Sequence, residues 1–222
     1  MNLGVLFSGG KDSTYAMYLA KKQKHSIACL MTVESENPES FMFHTPSISK
    51  VSVQAKAMNV PLLTVKTLGE KEKELKQLEK VINKAKKEYQ IKGVVTGTVE
   101  SVYQSTRIQI ICDKLGLHCF NPLWQKNQIE LIEDLIRDDF IISIIGVFAY
   151  PLNENWLGRI IDSNFLVEIK KLYNKYKINP AGEGGEFETF VLGCPLFSKK
   201  LEIVDKQVFG KANSWKMEIE VK

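Results

Sequence analysis

Short apolar runs alternate with longer amphipathic segments along the first 120 residues of the chain. A short apolar run that ends at glycines is typical of a buried strand, whereas apolar residues at i, i+4 and i+7 indicate the buried face of a helix. These patterns predict strands at residues 3–7, 26–33, 61–65, 93–96 and 118–120. They predict helices at residues 13–22, 70–89 and 98–115, and another that starts at Thr45–Pro46 and continues through Val51, Ala55 and Met58.

Strands separated by helices predict an α/β fold built on a parallel sheet with right-handed crossovers. In such a sheet, ligands bind beyond the carboxyl ends of the strands, at the point where the strand order reverses. Two loops carry suitable polar residues, one after Phe7 and one after Thr96. We therefore expect the first and fourth strands to lie side by side, with a ligand site between the loops that follow them.

The pattern changes after Phe120, and we place a domain boundary between residues 1–120 and residues 121–222. Asn127 with Glu130 predicts the start of a short helix, because this spacing is that of a capping box. Further along, the pattern predicts a strand, a helix and a late half-buried strand, at residues 140–147, 162–176 and 215–221. The second segment is therefore predicted to be a smaller α+β domain.

The composition narrows the class of protein. Lys and Arg exceed Asp and Glu only by 30 to 26, which gives no argument for nucleic acid as a partner. The four cysteines include no CxxC pair, which argues against a zinc site and favours free thiols in a reducing compartment. The N-terminus shows no secretory signal, and the longest apolar stretch, residues 140–150, is too short to span a bilayer. We expect a cytoplasmic protein that does not enter membranes.

The loop after the first strand, residues 8–13, is the strongest chemical signal, and we call it the phosphate loop. Its two glycines let the backbone approach an anion, and the amides at the start of the next helix can hold phosphate oxygens. The lysine can neutralise phosphate charge, and the aspartate can orient the loop or help to hold Mg²⁺. The predicted nucleotide-binding residues of the loop are Ser8, Gly9, Gly10, Lys11, Asp12 and Ser13.

A second polar segment, GTVESVYQSTR at residues 97–107, follows the fourth strand. Glu100, Gln104 and Arg107 would lie on one face of the predicted helix. Arg107 could bind a phosphate or carboxylate through two hydrogen bonds, although a solvated helix face would give the same pattern. The position beside the phosphate loop favours function, and we predict nucleotide contacts from Gly97, Thr98, Ser101 and Gln104.

A third segment, GEGGEFET at residues 182–189, places three carboxylates among three glycines. Such a cluster suits Mg²⁺, an ammonium ion or a cationic substrate, although a mobile acidic loop would have the same composition. The apolar strand that follows would anchor the segment. The predicted catalytic residues are Lys11, Asp12, Arg107, Glu183, Glu186 and Glu188.

The phosphate loop reads SGGKDS, which resembles the loop of the PP-loop ATP pyrophosphatases rather than GxxxxGK[ST]. SGGKDS, GTVESVYQSTR, WLGR at residues 156–159 and EGGEFET at residues 183–189 stand in the order seen in the diphthine–ammonia ligase family. MFHTP at residues 42–46, which includes His44, also resembles a segment of that family. The chain is similar to the compact archaeal-type members, which implies an adenine-nucleotide alpha-hydrolase-like, Rossmann-like domain with strand order 3-2-1-4-5.

The resemblance also implies a reaction. ATP would activate the carboxylate of diphthine, on a translation elongation factor, as an acyl-adenylate, and ammonium would supply the amide nitrogen with release of AMP and pyrophosphate. The implied cofactors are ATP and Mg²⁺, with Asp12 as the proposed metal ligand. The expected partners are the elongation factor and ammonium, without nucleic acid, and a homodimer is a further expectation. Diphthine carries a quaternary ammonium group, which the three glutamates would attract.

Two alternatives keep the phosphate loop and change the function. A PP-loop enzyme that modifies transfer RNA would bind ATP in the same way, but the chain has neither paired CxxC motifs nor a strong basic patch. A nucleotide-binding sensor would bind ATP without turnover, and the lysine, aspartate and carboxylates argue against it.

Overall fold

The computed structural model describes residues 1–35, 50–67 and 71–222, and its first half alternates strands and helices. The strands are β1 (Asn2–Leu6), β2 (Ser26–Ser35), β3 (Leu62–Thr67), β4 (Gly93–Val95) and β5 (His118–Phe120). The helices are α1 (Lys11–Lys22), α2 (Val51–Ala57), α3 (Lys71–Tyr89) and α4 (Val102–Leu115). The strands and helices predicted for this half are confirmed where the structure describes them, apart from the start of α4.

The five strands form a parallel sheet in the order β3-β2-β1-β4-β5, as expected. Strand β1 pairs with β4, with Leu3 opposite Gly93 and Val5 opposite Val95. The strand order reverses between these two strands, so the loops that follow them leave the sheet at one edge. Core residues of α1 and α2 belong to one cluster and those of α3 and α4 to another, so the sheet is covered on both faces.

The second half contains a four-stranded antiparallel sheet in the order β7-β6-β9-β8. Its strands are β6 (Ile141–Val147), β7 (Phe187–Gly193), β8 (Ile203–Lys211) and β9 (Ser214–Val221), and its helices are α5 (Gln128–Arg137) and α6 (Ser163–Tyr176). The predicted start of α5 is confirmed, because the Asn127 side chain accepts hydrogen bonds from the N–H groups of Ile129 and Glu130. The predicted alternation of β9 is also confirmed, since Met217 and Ile219 are buried and Glu218 is exposed.

A single hydrophobic cluster runs across the proposed domain boundary. Leu3 and Val5 of β1 share it with Ile142 of β6, Phe165 of α6 and Val191 of β7. Shared burial of apolar surface stabilises both halves together. The division at residue 120 therefore stays an interpretation of the sequence, and the antiparallel sheet packs directly beside the phosphate loop.

The start of α4 differs from the prediction. The helix begins at Val102 rather than Thr98, because the Ser101 hydroxyl caps it by accepting a hydrogen bond from the Gln104 N–H at 3.3 Å. Glu100 therefore lies in the loop before the helix, and its predicted place on a helical face with Gln104 and Arg107 is wrong. The predicted helix start at Thr45–Pro46 and the MFHTP segment with His44 lie outside the described residues.

The structure describes all four cysteines. Cys29, Cys112, Cys119 and Cys194 are free thiols. Within residues 1–35, 50–67 and 71–222, no helix combines the length and the apolar character needed to cross a bilayer.

Candidate active site

A cavity of about 290 Å³ lies beyond the carboxyl ends of β1 and β4. Its polar wall contains residues from all three polar segments singled out in the sequence: Ser8, Asp12, Ser13, Thr96, Gly97, Thr98, Gln104 and Glu183. Its apolar wall is formed by Leu6, Phe7, Met31, Val33, Leu78 and Ile108. Segments far apart in the chain therefore meet at the predicted reversal of strand order, in a cavity that combines apolar surface with convergent polar groups.

The phosphate loop turns sharply between β1 and α1. Gly9 has a φ of +80°, a conformation that glycine adopts readily and other residues rarely do. The hydroxyl oxygens of Ser8 and Ser13 lie 3.1 Å apart at the cavity wall. Gly10 precedes α1 and supplies no side-chain cap, which is the kind of helix start that binds anions.

The Lys11 side chain is buried, and its ammonium group lies between two carboxyl groups. Its Nζ is 2.7 Å from Asp12 Oδ2 and 3.6 Å from Glu183 Oε1. Burial acts to lower the pKa of Lys11, but the two carboxylates outweigh burial and raise it above its ordinary value. Burial and the charge of Asp12 raise the pKa of Glu183 to about 7, against the opposing effect of Lys11.

Gly97 packs directly against the start of α1. A Cβ atom at this position would lie 2.6 Å from backbone atoms of Asp12 and Ser13, so only glycine fits. The Thr98 hydroxyl, also at the cavity, lies 2.9 Å from the hydroxyl of Thr96. Ser101, predicted to contact nucleotide, instead caps α4 and does not belong to the described wall of the cavity.

Arg107 lies away from this cavity. Its guanidinium group stacks 3.3 Å from the centroid of the Tyr103 ring and donates a hydrogen bond to the Tyr103 carbonyl oxygen at 3.4 Å. It lines a separate depression between α3 and α4, beside Leu75, Glu79 and Ile110. The geometry therefore gives no support to the predicted catalytic role of Arg107.

The WLGR segment contributes to packing rather than to the cavity wall. The Arg159 guanidinium lies 4.1 Å from the centroid of the Trp156 ring and donates a hydrogen bond to Glu168 of α6 at 2.7 Å. Trp156 in turn packs edge-on against Phe165 in the shared core. These contacts fasten the segment before α6 to the helix itself.

The three carboxylates of residues 182–189 do not form one cluster. Glu183 lines the cavity and forms an ion pair with the buried Lys11, whereas Glu186 turns back onto its own loop. The Glu186 carboxylate accepts hydrogen bonds from the N–H groups of Asn179 and Gly184, both at 2.9 Å. Only Glu183 among the three thus belongs to the described cavity wall, which corrects the expectation of a joint carboxylate site.

Glu188 belongs to a different environment from Glu183. It lies on β7 opposite Gly146 of β6 and near Lys216 of β9. Its Oε2 is buried and has no hydrogen-bond partner among the described residues. Burial raises the pKa of Glu188 to about 7, although the nearby Lys216 charge acts in the opposite direction.

Strand β7 attaches the third segment to the phosphate loop. The Thr189 hydroxyl accepts a hydrogen bond from the Lys11 N–H at 3.1 Å, and the Val191 N–H donates to the Gly9 carbonyl oxygen at 3.0 Å. The loop is therefore held from the C-terminal half of the chain, and Glu183 reaches Lys11 because β7 follows immediately after its turn.

Sequence reasoning missed two polar side chains that organise this site, Thr189 and Gln54. Gln54 is fully buried on α2, and its Nε2 donates to the carbonyl oxygens of Gly9 at 2.9 Å and Val191 at 2.8 Å. The sequence contains one indication of this role: Gln54 stands next to the apolar positions of a short helix, and a polar side chain buried there needs a hydrogen-bond partner. The apolar wall residues were also missed, because in the sequence they cannot be told from ordinary core.

The donor set of the cavity fits a magnesium ion that binds together with phosphates. Mg²⁺ is usually held by one or two carboxylates and substrate phosphate oxygens. Asp12 and Glu183 provide two carboxyl groups against the single ammonium of Lys11, which favours an added cation. Within the described residues, no group of three or more His, Cys, Asp or Glu side chains could hold a metal by itself.

Comparison with known proteins identifies relatives over most of the chain. Family models described as the N-terminal and C-terminal domains of diphthamide synthase match residues 1–119 and residues 127–221. A human diphthine–ammonia ligase is 32% identical, with 94% of this chain and 85% of that protein covered. A rat diphthine–ammonia ligase is 33% identical, with 91% and 83% covered.

Two further comparisons extend this picture. A Schizosaccharomyces pombe diphthine–ammonia ligase is 30% identical over 91% of this chain, which spans 36% of that longer protein. A crystal structure of a predicted tRNA methyltransferase subunit from Methanocaldococcus jannaschii has 18% identity and a TM-score of 0.46, with 90% of this chain and 99% of that chain covered. On the matching family models and the sequence relatives, the chain belongs to the diphthine–ammonia ligase family.

Proposed function

We propose that this enzyme catalyses the ATP-dependent amidation of diphthine on a translation elongation factor, releasing AMP and pyrophosphate. The observation that carries the proposal is the meeting of the phosphate loop, Gly97 and Glu183 around one cavity. The family supplies the acceptor and the nitrogen source, because its named members are diphthine–ammonia ligases. ATP use follows from the loop and its helix start, which together suit nucleotide phosphates.

The cavity suits the two ends of ATP differently. Its apolar wall, with Met31, Val33, Leu78 and Ile108, suits an adenine ring. The hydroxyl groups of Ser8 and Ser13 and the start of α1 suit phosphate oxygens. Mg²⁺ bound with ATP would offset charge on the phosphates, and Asp12 and Glu183 are the side chains that would hold it.

The proposed chemistry transfers the AMP unit to the diphthine carboxylate before the nitrogen attacks. Cleavage between the α- and β-phosphates places negative charge on the leaving pyrophosphate, which Lys11 would help to neutralise. Ammonia then attacks the acyl-adenylate, and AMP leaves as the amide forms. Glu183 lines the same cavity, so its carboxylate, when not engaged by Mg²⁺, would attract the quaternary ammonium of diphthine or an ammonium ion.

The proposal is tested by incubating the enzyme with ATP, ¹⁵N-ammonium and an elongation factor that carries diphthine. We expect ¹⁵N in the modified peptide, together with repeated turnover to AMP and pyrophosphate, only when all three reactants are present. Formation of ADP would contradict adenylation. AMP formation that depends on transfer RNA rather than on the factor would favour the alternative enzyme, and tight ATP binding without turnover would favour a sensor. Lys11→Ala serves as the inactive control.

A further inference from the structure

We propose that Gln54 is a positioning residue, which holds the Gly9–Gly10 peptide of the phosphate loop in the orientation that binds nucleotide phosphates. Gln54 lies on α2, its side chain is fully buried, and it is not part of the described cavity wall. The inference rests on the ATP-binding part of the proposed function and does not depend on the acceptor.

Both hydrogens of the Gln54 amide nitrogen are engaged. Nε2 donates to the carbonyl oxygen of Gly9 at 2.9 Å and to that of Val191 at 2.8 Å. The opposite assignment of the amide would set Oε1 against two carbonyl oxygens, so these partners determine which end of the amide faces them. One side chain thus ties α2 to both the phosphate loop and β7.

The Gly9 carbonyl receives a second hydrogen bond, from the Val191 N–H at 3.0 Å. Its two lone pairs are therefore occupied by donors from α2 and β7. In a trans peptide, the carbonyl of one residue and the N–H of the next point in opposite directions. The Gly10 N–H accordingly points away from these donors and towards the Ser8 hydroxyl, 3.4 Å away, which lines the cavity.

This restraint matters because Gly9 is a glycine with a φ of +80°. Glycine reaches positive and negative φ with similar ease, so a Gly-Gly peptide without fixed partners can turn over. If the peptide turned over, a carbonyl oxygen would replace an N–H beside the phosphates. Gln54 and Val191 hold the carbonyl on the protein side and thereby keep the amide on the cavity side.

The other end of the Gln54 side chain also indicates a positional role. Its Oε1 is buried without a hydrogen-bond partner among the described residues, which is unfavourable for stability. A Cβ atom on Gly9 would approach this oxygen to 2.4 Å, so the amide packs closely against the loop. Unfavourable local features, such as a buried polar atom without a partner, typically occur at functional sites, where the position of a group matters more than its contribution to stability.

The test compares ATP with adenosine, which lacks phosphates. Gln54→Met keeps the shape of the side chain and removes both donors. By isothermal titration calorimetry with Mg²⁺ present, we expect its affinity for ATP to fall about tenfold, as for one lost hydrogen bond, while its affinity for adenosine is unchanged. The matched control is Ser198→Ala, which removes a 2.7 Å hydrogen bond from the Ser198 hydroxyl to the Ala57 carbonyl, another contact between α2 and the C-terminal half. This control should leave both affinities unchanged.

A purely structural role predicts a different result. Equal loss of ATP and adenosine affinity in Gln54→Met, or no loss of either, would overturn the inference. Should circular dichroism show that Gln54→Met does not fold, Gln54→Asn provides the same comparison, because its amide is one methylene short of reaching both carbonyls. Wild-type enzyme that binds ATP no more tightly than adenosine would instead overturn the proposed ATP site, and this inference with it.

Discussion

Replacing Glu188 by glutamine should make the stability of the protein less sensitive to pH. In the fold, burial raises the pKa of Glu188 from 4.5 to about 7. The folded protein therefore binds a proton between these values that the unfolded chain has released. The free energy of unfolding falls as pH rises through this window, because the buried Glu188 carboxyl becomes ionised. This loss of stability is complete above about pH 7 and absent below about pH 4.

The size of the effect follows from the shift. Each pKa unit corresponds to about 1.4 kcal/mol, so the ionised Glu188 carboxylate costs about 3 kcal/mol at pH 8. Glutamine carries no charge and escapes this cost, but its buried amide adds a penalty that does not vary with pH. The quantity to measure is therefore the unfolding free energy of Glu188→Gln minus that of the wild type. Between pH 4 and pH 8 this difference should rise by about 3 kcal/mol in favour of the variant.

Urea unfolding followed by tryptophan fluorescence at pH 4, 6 and 8 measures this difference. Glu218→Gln, on the exposed face of strand β9 of the same sheet, is the matched control and should show no such trend. A difference between Glu188→Gln and wild type that stays constant from pH 4 to pH 8 would refute the reasoning.

Three further substitutions test Lys11, the phosphate loop and the turn that contains Glu183. Lys11→Ala should lower the rate of AMP release about a hundredfold or more, because it removes the cation proposed to stabilise the leaving group, and a wild-type rate would exclude Lys11 from the site. Gly9→Ala should cost about 2 kcal/mol of unfolding free energy and weaken ATP binding, because alanine is strained at a φ of +80° and its Cβ would meet Gln54 Oε1. Unchanged stability of Gly9→Ala in urea would contradict this prediction. The control is Gly10→Ala, which should lose less unfolding free energy because Gly10 has a φ of −81°. Glu186→Gln should cost about 1 kcal/mol of unfolding free energy, because one backbone N–H of its turn loses its acceptor. A variant that loses activity but keeps wild-type stability would instead support a direct catalytic role for Glu186.

Local patterns in the sequence were sufficient for most of the secondary structure. The apolar run before Ser8 and the glycines after it placed β1 and the phosphate loop correctly, because both depend on neighbouring residues. The predicted start of α4 at Thr98 is wrong, although the i, i+4 and i+7 spacing of Glu100, Gln104 and Arg107 fits a helix that begins there. The Ser101 cap decides where that helix begins, and a serine inside a polar segment is a weak signal on its own.

The chemistry of the site was predictable in part. The phosphate loop and Gly97 lie at the predicted end of the sheet, because a sharp turn and close backbone approach require particular residue types in a row, whereas phosphate binding by the loop stays a prediction. The carboxylates of EGGEFET could not be assigned, because the turn and the strand that follow send neighbouring side chains in different directions. Glu183 points to Lys11, Glu186 to its own turn, and Glu188 towards the side of Lys216.

The sequence by itself determined the strand–loop–helix order, the phosphate loop and the family, since these are carried by contiguous residues and their spacing. Only the tertiary structure decided that β7 and α2 hold the phosphate loop, through Thr189, Val191 and Gln54. Those contacts join residues at least 45 positions apart, so no local periodicity records them. They exist because burial beside the loop leaves its backbone groups no water, and each must find its partner in another element.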